Sequence, residues 1–551
     1  MSARRAAVLL LALTAACGGE RAPTGSATGG TLLIGTGAVA DAVLPPLIQS
    51  LPGKQLVDAL FLPLAWPADE LTLVGDAGYT PALADRWTWS ADSLSIAFHL
   101  DPRARWQDGH PVTPEDARAA LVAFKSPAVG AIAAPNLANI DSIAVRDSAT
   151  LVAWFHERAP TQFYDLVTNL VPIPAHVYGA IPAESLATSA VARTPVGNGK
   201  WRLVKWTPGE RVEIVADTAH WLGRPTLDRI AWIAITDPIA QATKLVTGEI
   251  DMVEVLRGPP LETAAKDSSI RLVTTPGLSH AITVFNTRDA SNPARPHPIF
   301  GDAGVRRALS LAIDRPQVVR SILDTLGTTM SSPWITLIKL DAPLLPHDSA
   351  HAAALLDSLG WKDTTGDGVR DKGGRALAFS LGAPVTSTPR VRASQIMQQV
   401  WTGLGAKVTL EHVESGVQMS NAHAGKFDAT IMGYSGDLAP GAIRQDWHTQ
   451  VGGEGSNYGH YSNAAFDAII DSAASNLDPV ASRAQYARAG AVLANDAPGL
   501  WLYEIKTVSG IHKRFRTAAM PPWGWWVHLD QWSVDPARMI DRDRIGVGTP
   551  K

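Results

Sequence analysis

The stretch Val391-Arg-Ala-Ser-Gln-Ile-Met-Gln-Gln-Val400-Trp-Thr-Gly-Leu-Gly405-Ala-Lys-Val-Thr-Leu410-Glu-His-Val413 sets a helix and a strand back to back. Ile396, Met397, Val400, Trp401 and Leu404 recur at the spacing that gathers apolar side chains on one face of a helix. Gly405 stands where that helix must stop, because glycine takes the left-handed backbone of a helix end without a β-carbon clash. Residues 407–413 then read as a strand. The alternation continues over the same region: 281–285 reads as a strand, 305–323 as a helix, and 349–359 as a helix with Gly360 just past its end. Alternating helix and strand is the pattern of a layered α/β domain.

Upstream, the pattern turns strand-rich. Residues 200–206 and 210–215 flank Thr207-Pro208-Gly209, a proline–glycine turn that predicts a hairpin. Residues 229–235 form another apolar strand, and 238–247 suit a helix closed by Gly248. Leu94, Ile96, Phe98 and Leu100 alternate with Ser95, Ala97 and His99, which predicts a strand with one buried face, ended by Asp101-Pro102. After the Asp108-Gly109 turn, Thr113-Pro114-Glu115-Asp116 has the chemistry of a helix start: a hydroxyl for an orphan N–H, proline at the first position and acids in the first turn. A helix is expected over 114–124, and a short strand over 31–35. Trp523, Trp525 and Trp526 surround Gly524; core packing is the ordinary use of such rings, and lining a cleft is the alternative.

The chain has 551 residues, 46% hydrophobic and 18% charged, which suits two or three packed domains. A net charge of -4 without a basic cluster beyond the first residues gives no footprint for nucleic acid. Cys17 is the single cysteine, so no internal disulfide and no thiol nucleophile in a core is expected. Arg4 and Arg5 precede an apolar run from Ala6 to Ala16 that is too short to span a bilayer and reads as an export signal over 1–17. Leu13-Thr-Ala-Ala-Cys17 is similar to a bacterial lipobox, which implies lipidation of Cys17; Thr14 departs from the aliphatic residue usual there, and plain cleavage near Cys17 is the alternative. Residues 18–30, rich in Gly, Ala, Ser, Thr and Pro, read as a flexible tether.

A set of short motifs then runs in order along the chain: Pro81-Ala-Leu-Ala-Asp-Arg-Trp87, Trp106-Gln-Asp-Gly-His-Pro-Val-Thr-Pro-Glu-Asp116, Pro195-Val-Gly-Asn-Gly-Lys-Trp-Arg-Leu203, Trp221-Leu-Gly-Arg-Pro225, Gly248-Glu-Ile-Asp251, Phe285-Asn286, Val305-Arg-Arg-Ala-Leu-Ser-Leu-Ala-Ile-Asp314 and Asn457-Tyr458 with Phe466-Asp467. In this order the chain resembles the solute-binding proteins of dipeptide, oligopeptide and nickel ABC importers, binding-protein family 5. The resemblance implies an α/β, two-lobed, periplasmic-binding-protein-like fold whose lobes close on a hinge. It places lobe 1 at 31–60, 190–272 and 501–551, an inserted domain at 61–189 and lobe 2 at 273–500. It further implies an extracytoplasmic, lipid-anchored monomer that works with ABC permease subunits and needs no cofactor. A secreted hydrolase of peptides or glycosides is the alternative, although no Gly-x-Ser-x-Gly, His-Glu-x-x-His or phosphate-cradling glycine loop is present.

For the ligand site, Met432-Gly-Tyr-Ser-Gly-Asp-Leu-Ala-Pro440 is similar to the family's cleft segment, and the match puts Asp437 where an aspartate pairs with the α-amino group of a bound peptide. A turn-capping aspartate beside Gly436 and Pro440 is the other reading. Tyr434, Gly436, Asn457, Tyr458 and Trp401 are candidate contacts, Trp401 also reading as core from its helical spacing. The basic side chain that precedes this segment in some oligopeptide receptors is absent, since Thr430, Ile431 and Met432 are uncharged. An opine, oligosaccharide, nickel chelate or haem therefore stays open beside peptide. Asp363, Thr365, Asp367 and Asp371 hold oxygens at the first, third, fifth and ninth places of a calcium-type loop with Gly368 at the sixth, but Gly374 stands at the twelfth; a plain Asp-Gly turn is the alternative. His448 and His460 are the histidine pair nearest the expected cleft.

Overall fold

The computed structural model describes residues 28–71, 73–435, 438–449 and 455–548; Cys17, Gly436 and Asp437 lie outside them. Two large sheets organise the chain. The first has seven strands in the order Ile270–Thr275, Thr507–His512, Met252–Val253, Thr31–Thr36, Arg229–Ala234, Arg211–Ala216 and Trp201–Thr207. Thr31–Thr36 runs parallel to both of its neighbours, and the expected hairpin is an antiparallel pair with Thr207 opposite Arg211. Helices Pro238–Val246 and Pro259–Lys266 cover one face through Ala242, Leu245, Val253, Leu256 and Ala264. The other face joins a large core shared with residues 61–192 and the C-terminal tryptophans.

The second sheet has six strands, ordered Gly327–Thr329, Gly499–Ile505, Ser279–Phe285, Ala429–Ser435, Ala378–Pro384 and Lys407–Val413. Successive residues of Ala429–Ser435 show how it is sandwiched: Ile431 packs among the core residues beneath Thr388–Gly403, and Met432 enters the core formed with Ala464–Ser475 and Pro479–Asp496. A third, four-stranded antiparallel sheet, Ala84–Trp89, Ser95–Leu100, Thr150–Phe155 and Ile140–Val145, lies within the expected insertion and packs with helix Pro114–Lys125. That helix starts as read, the Asp116 carboxylate accepting the Thr113 N–H at 2.7 Å.

Two expectations need correcting. Residues 305–323 form two helices, Ala303–Leu311 and Arg315–Leu323, because Asp314 accepts the Gln317 N–H at 2.9 Å and Pro316 opens a new first turn. The lobe changeovers at 272/273 and 500/501 would cut through strands: Ile270–Thr275 belongs whole to the first sheet and Gly499–Ile505 whole to the second, so the chain crosses at 276–278 and at 506. A continuous hydrogen-bonded ladder keeps each strand on one side of the crossing.

The first sheet is locked by a buried ion cluster that gathers distant segments. Arg514 donates to Asp251 Oδ1 from Nη2 at 2.7 Å and pairs through Nη1 with Asp543. Asp251 accepts the Leu33 N–H at 2.9 Å, and Asp543 accepts the Thr31 N–H at 3.0 Å. Each buried carboxylate thus meets the guanidinium and a backbone donor, while Arg514 also donates to the Thr31 carbonyl, the condition for holding ions out of water. Among the described residues, no helix is long and apolar enough to cross a membrane.

Candidate ligand cleft

Three linked chambers run across the two lobes. The central one, about 410 Å³, takes Phe61, Trp66, Val167 and Trp523 from the first side and Leu278, Ser435 and Leu438 from the second. Its two charged groups sit one helical turn apart on Leu51–Leu60 and satisfy each other, Lys54 Nζ donating to Asp58 Oδ1 at 2.9 Å. Trp526 Nε1 donates to the other oxygen of Asp58, also at 2.9 Å. With its charges internally paired, the chamber offers mainly apolar and aromatic surface.

A smaller chamber, about 140 Å³, shares Lys54, Asp58, Thr168 and Val171 with the central one. On the opposite side, a chamber of about 350 Å³ shares Ser435 and is lined by Trp334, Met432, Gly433, Tyr434, Asp446 and Tyr458. The strand Ala429–Ser435 therefore leaves the second core and ends at the junction of two chambers. Tyr434 lies opposite His280 on the neighbouring strand, and their rings stack at 5.5 Å. Burial pushes the Asp446 carboxyl up to about 7, with a hydrogen bond from the Ser456 side chain opposing the shift. Burial, and then the neighbouring Asp446 and Tyr458, raise the Tyr434 phenol well above its ordinary value. The end of this chamber near Asp446 thus holds a carboxyl that gains from any cationic partner.

On the other face of the same strand, the guanidinium carbon of Arg390 lies 3.3 Å from the point where a β-carbon on Gly433 would stand. Arg390 Nη1 reaches only the Ile431 carbonyl, at 3.5 Å, and no carboxylate pairs with it among the described residues. Burial lowers its guanidinium below the ordinary value, the nearby Tyr503 opposing this. Gly433 thus leaves room for that half-buried guanidinium beside the strand that ends at the cleft.

Of the residues expected from sequence, Tyr434 and Tyr458 line the second-lobe chamber. Trp401 does not: it is fully buried, donates Nε1 to the Leu309 carbonyl at 2.9 Å and packs on Phe285 and Phe379, so it is core. Asn457 is spent on its own loop, donating to the carbonyls of His448 and Tyr461 and accepting the Tyr461 N–H at 3.0 Å. His448 is buried, with Nε2 3.2 Å from Asp471. In the loop of Asp363, Thr365, Asp367 and Asp371, the carboxylates cap the turn itself: Asp363 accepts from Gly366 and Gly368, Asp367 from Val369, and Asp371 from Thr364. Each of these bonds is made within the turn, as in an Asp-Gly turn. Sequence reading passed over Trp66, Lys54, Asp58 and Asp446; the tryptophan-rich tail was the one visible pointer, and of its rings Trp523 reaches the chamber.

The chain matches the model of the bacterial extracellular solute-binding proteins, family 5, middle region, over residues 78–452. It is 28% identical over 339 residues to the oligopeptide-binding protein AppA of Bacillus subtilis, a match covering 60% of this chain and 61% of that relative. A putative ABC transporter peptide-binding protein of Brucella ovis is 26% identical over 432 residues, covering 77% and 78% of the two chains. The structure of Bacillus subtilis AppA with a nonapeptide superposes with a TM-score of 0.68 at 22% identity, covering 92% of this chain and 99% of the other. The ABC transporter substrate-binding protein CtaP of Listeria monocytogenes gives a TM-score of 0.77 at 20% identity, covering 92% and 99%. Matched along most of its length, and with a two-lobed α/β fold shared with these structures, the chain belongs to family 5 of the bacterial extracellular solute-binding proteins.

Proposed function

We propose that the protein captures peptides in its inter-lobe cleft and hands them to an ABC importer. The observation that carries this reading is the run of three linked chambers, apolar in the middle and charged toward one end, which suits an extended chain bearing several side chains. Asp446 and, in the family's cleft segment, Asp437 would meet the ligand's ammonium, while Arg390 would meet a carboxylate. The names of the relatives, an oligopeptide-binding protein and a putative ABC transporter peptide-binding protein, favour the same ligand class. They favour capture over the hydrolase alternative.

In this reading the lobes are 31–60 with 190–275 and 507–551, and 279–505, with the insertion at 61–189. They close as a monomer around the crossings, and the closed form engages the permease. Lipidated Cys17 would tether the receptor to the membrane. Calorimetry with random peptide pools of two to nine residues, followed by mass spectrometry of the bound fraction, tests the proposal. Stoichiometric binding of intact peptides is expected; cleavage of the peptides, or no binding from any pool, overturns it.

A further inference from the structure

Outside the cleft, Asp108, His110 and His176 each direct one ligand-type atom to a common point, all within 4.8 Å of one another. Among the described residues no other trio of His, Cys, Asp and Glu converges in this way. None of the three lines the chambers of the cleft. Asp108 bridges the two imidazoles, with Oδ2 2.7 Å from His176 Nε2 and Oδ1 3.2 Å from His110 Nδ1. The two rings lie with centroids 4.1 Å apart. We propose that these three side chains bind a divalent transition-metal ion, with zinc as the representative.

The donor set supports that class. Two imidazole nitrogens and one carboxylate oxygen suit zinc, nickel or copper, whereas calcium and magnesium prefer oxygen alone. Three protein donors leave a fourth position for water.

The segments that carry the donors are also fixed beforehand, and by one residue. Asp108 and His110 ride on a turn closed by Trp106 N–H to His110 carbonyl at 2.8 Å and Gly109 N–H to Trp106 carbonyl at 2.9 Å, with Gly109 at a φ of 94° that glycine accepts readily. The buried Trp106 donates its Nε1–H to Asp116 Oδ2 at 2.9 Å. His176 rides on the short helix Ala175–Tyr178, whose first N–H, from Ala175, goes to the other oxygen of Asp116 at 2.7 Å. A single buried carboxylate therefore holds the turn and the helix in register, so the donors meet without a loop having to order on binding. The Asp108 and His176 side chains are 30% and 31% exposed and His110 is 62% exposed, which leaves the ion a path from solvent.

The experiment uses the full chain stripped with a chelator, then titrated with zinc chloride by calorimetry and against a chromophoric indicator. One zinc per chain is expected, and His110→Ala and His176→Ala should each weaken it by about tenfold or more while leaving circular dichroism unchanged, since neither ring is in the core. Failure of the wild-type chain to bind zinc stoichiometrically, or wild-type affinity in either variant, overturns the site. Peptide binding is not needed for the readout, so this result is independent of the cleft.

Discussion

A β-carbon on Gly277 would lie 1.7 Å from the carbonyl oxygen of Ile505, so the two segments that cross between the lobes pass in direct backbone contact. Gly277 lies in the middle of one crossing and Ile505 immediately precedes the other, so the pair joins the two crossings between the sheets. Because the obstacle is backbone, Gly277→Ala must push the crossings apart. We expect a loss of about 1–3 kcal/mol in stability, read by urea unfolding, and an altered peptide affinity. A variant equal to wild type in both would show that the contact does not constrain the hinge.

Asp446 sets a pH dependence whose sign follows from its raised carboxyl, about 7 in the folded chain. An unfolded chain releases this proton near the ordinary carboxylate value of about 4, so between these points the folded state holds the extra proton and stability falls as pH rises. Asp446→Asn should therefore exceed wild type in stability at pH 8 and match it at pH 4. Unfolding midpoints at the two pH values check this, and a constant difference between the proteins would contradict it.

Trp523 supplies aromatic wall to the central chamber and anchors its Nε1–H on the Asp69 carbonyl at 3.1 Å. Trp523→Ala should weaken peptides with large apolar side chains by about 1–3 kcal/mol and affect small polar ones little. Calorimetry with matched peptides separates the two.

Arg390, beside Gly433, gives a complementary test of the proposed carboxylate contact. Arg390→Gln should reduce affinity for peptides with a free C-terminal carboxylate and leave the amidated versions of the same peptides unaffected. An equal loss for both series would assign Arg390 a structural role.

Arg514 is nearly inaccessible, and its removal would strand Asp543 without its cation and leave Asp251 with Arg542 alone. Arg514→Ala should cost about 3–5 kcal/mol in unfolding free energy. Urea titration of the first-lobe tryptophan fluorescence measures it.

The elements legible in the sequence were those set by neighbours a few residues apart. The Thr113–Asp116 start, the Gly405 stop and the Pro208-Gly209 turn act through local backbone bonds, and each produced the element read from it. The break between Leu311 and Arg315 was also local, but its marker, Asp314 before Pro316, was hidden inside a continuous apolar period. Of the two readings of Trp401, stacking contact or core, its helical spacing favoured core, and its burial agrees. The cleft was less legible because it is assembled from 54–71, 164–171, 278, 435, 438 and 523–527, whose meeting depends on tertiary packing alone. Arg390 illustrates this, since the sequence beside the cleft segment lacks a cation and the fold brings one from the helix Thr388–Gly403.

The cluster around Arg514 also makes the first lobe depend on the far end of the chain. Thr507–His512 is an interior strand, seated between Ile270–Thr275 and Met252–Val253, and Asp543 is needed before both Thr31 and Arg514 are satisfied. A nascent chain stopped before residue 507 can complete neither the sheet nor the cluster. The first lobe, though it begins at the N-terminal end, can therefore be completed only once nearly the whole chain is available to fold.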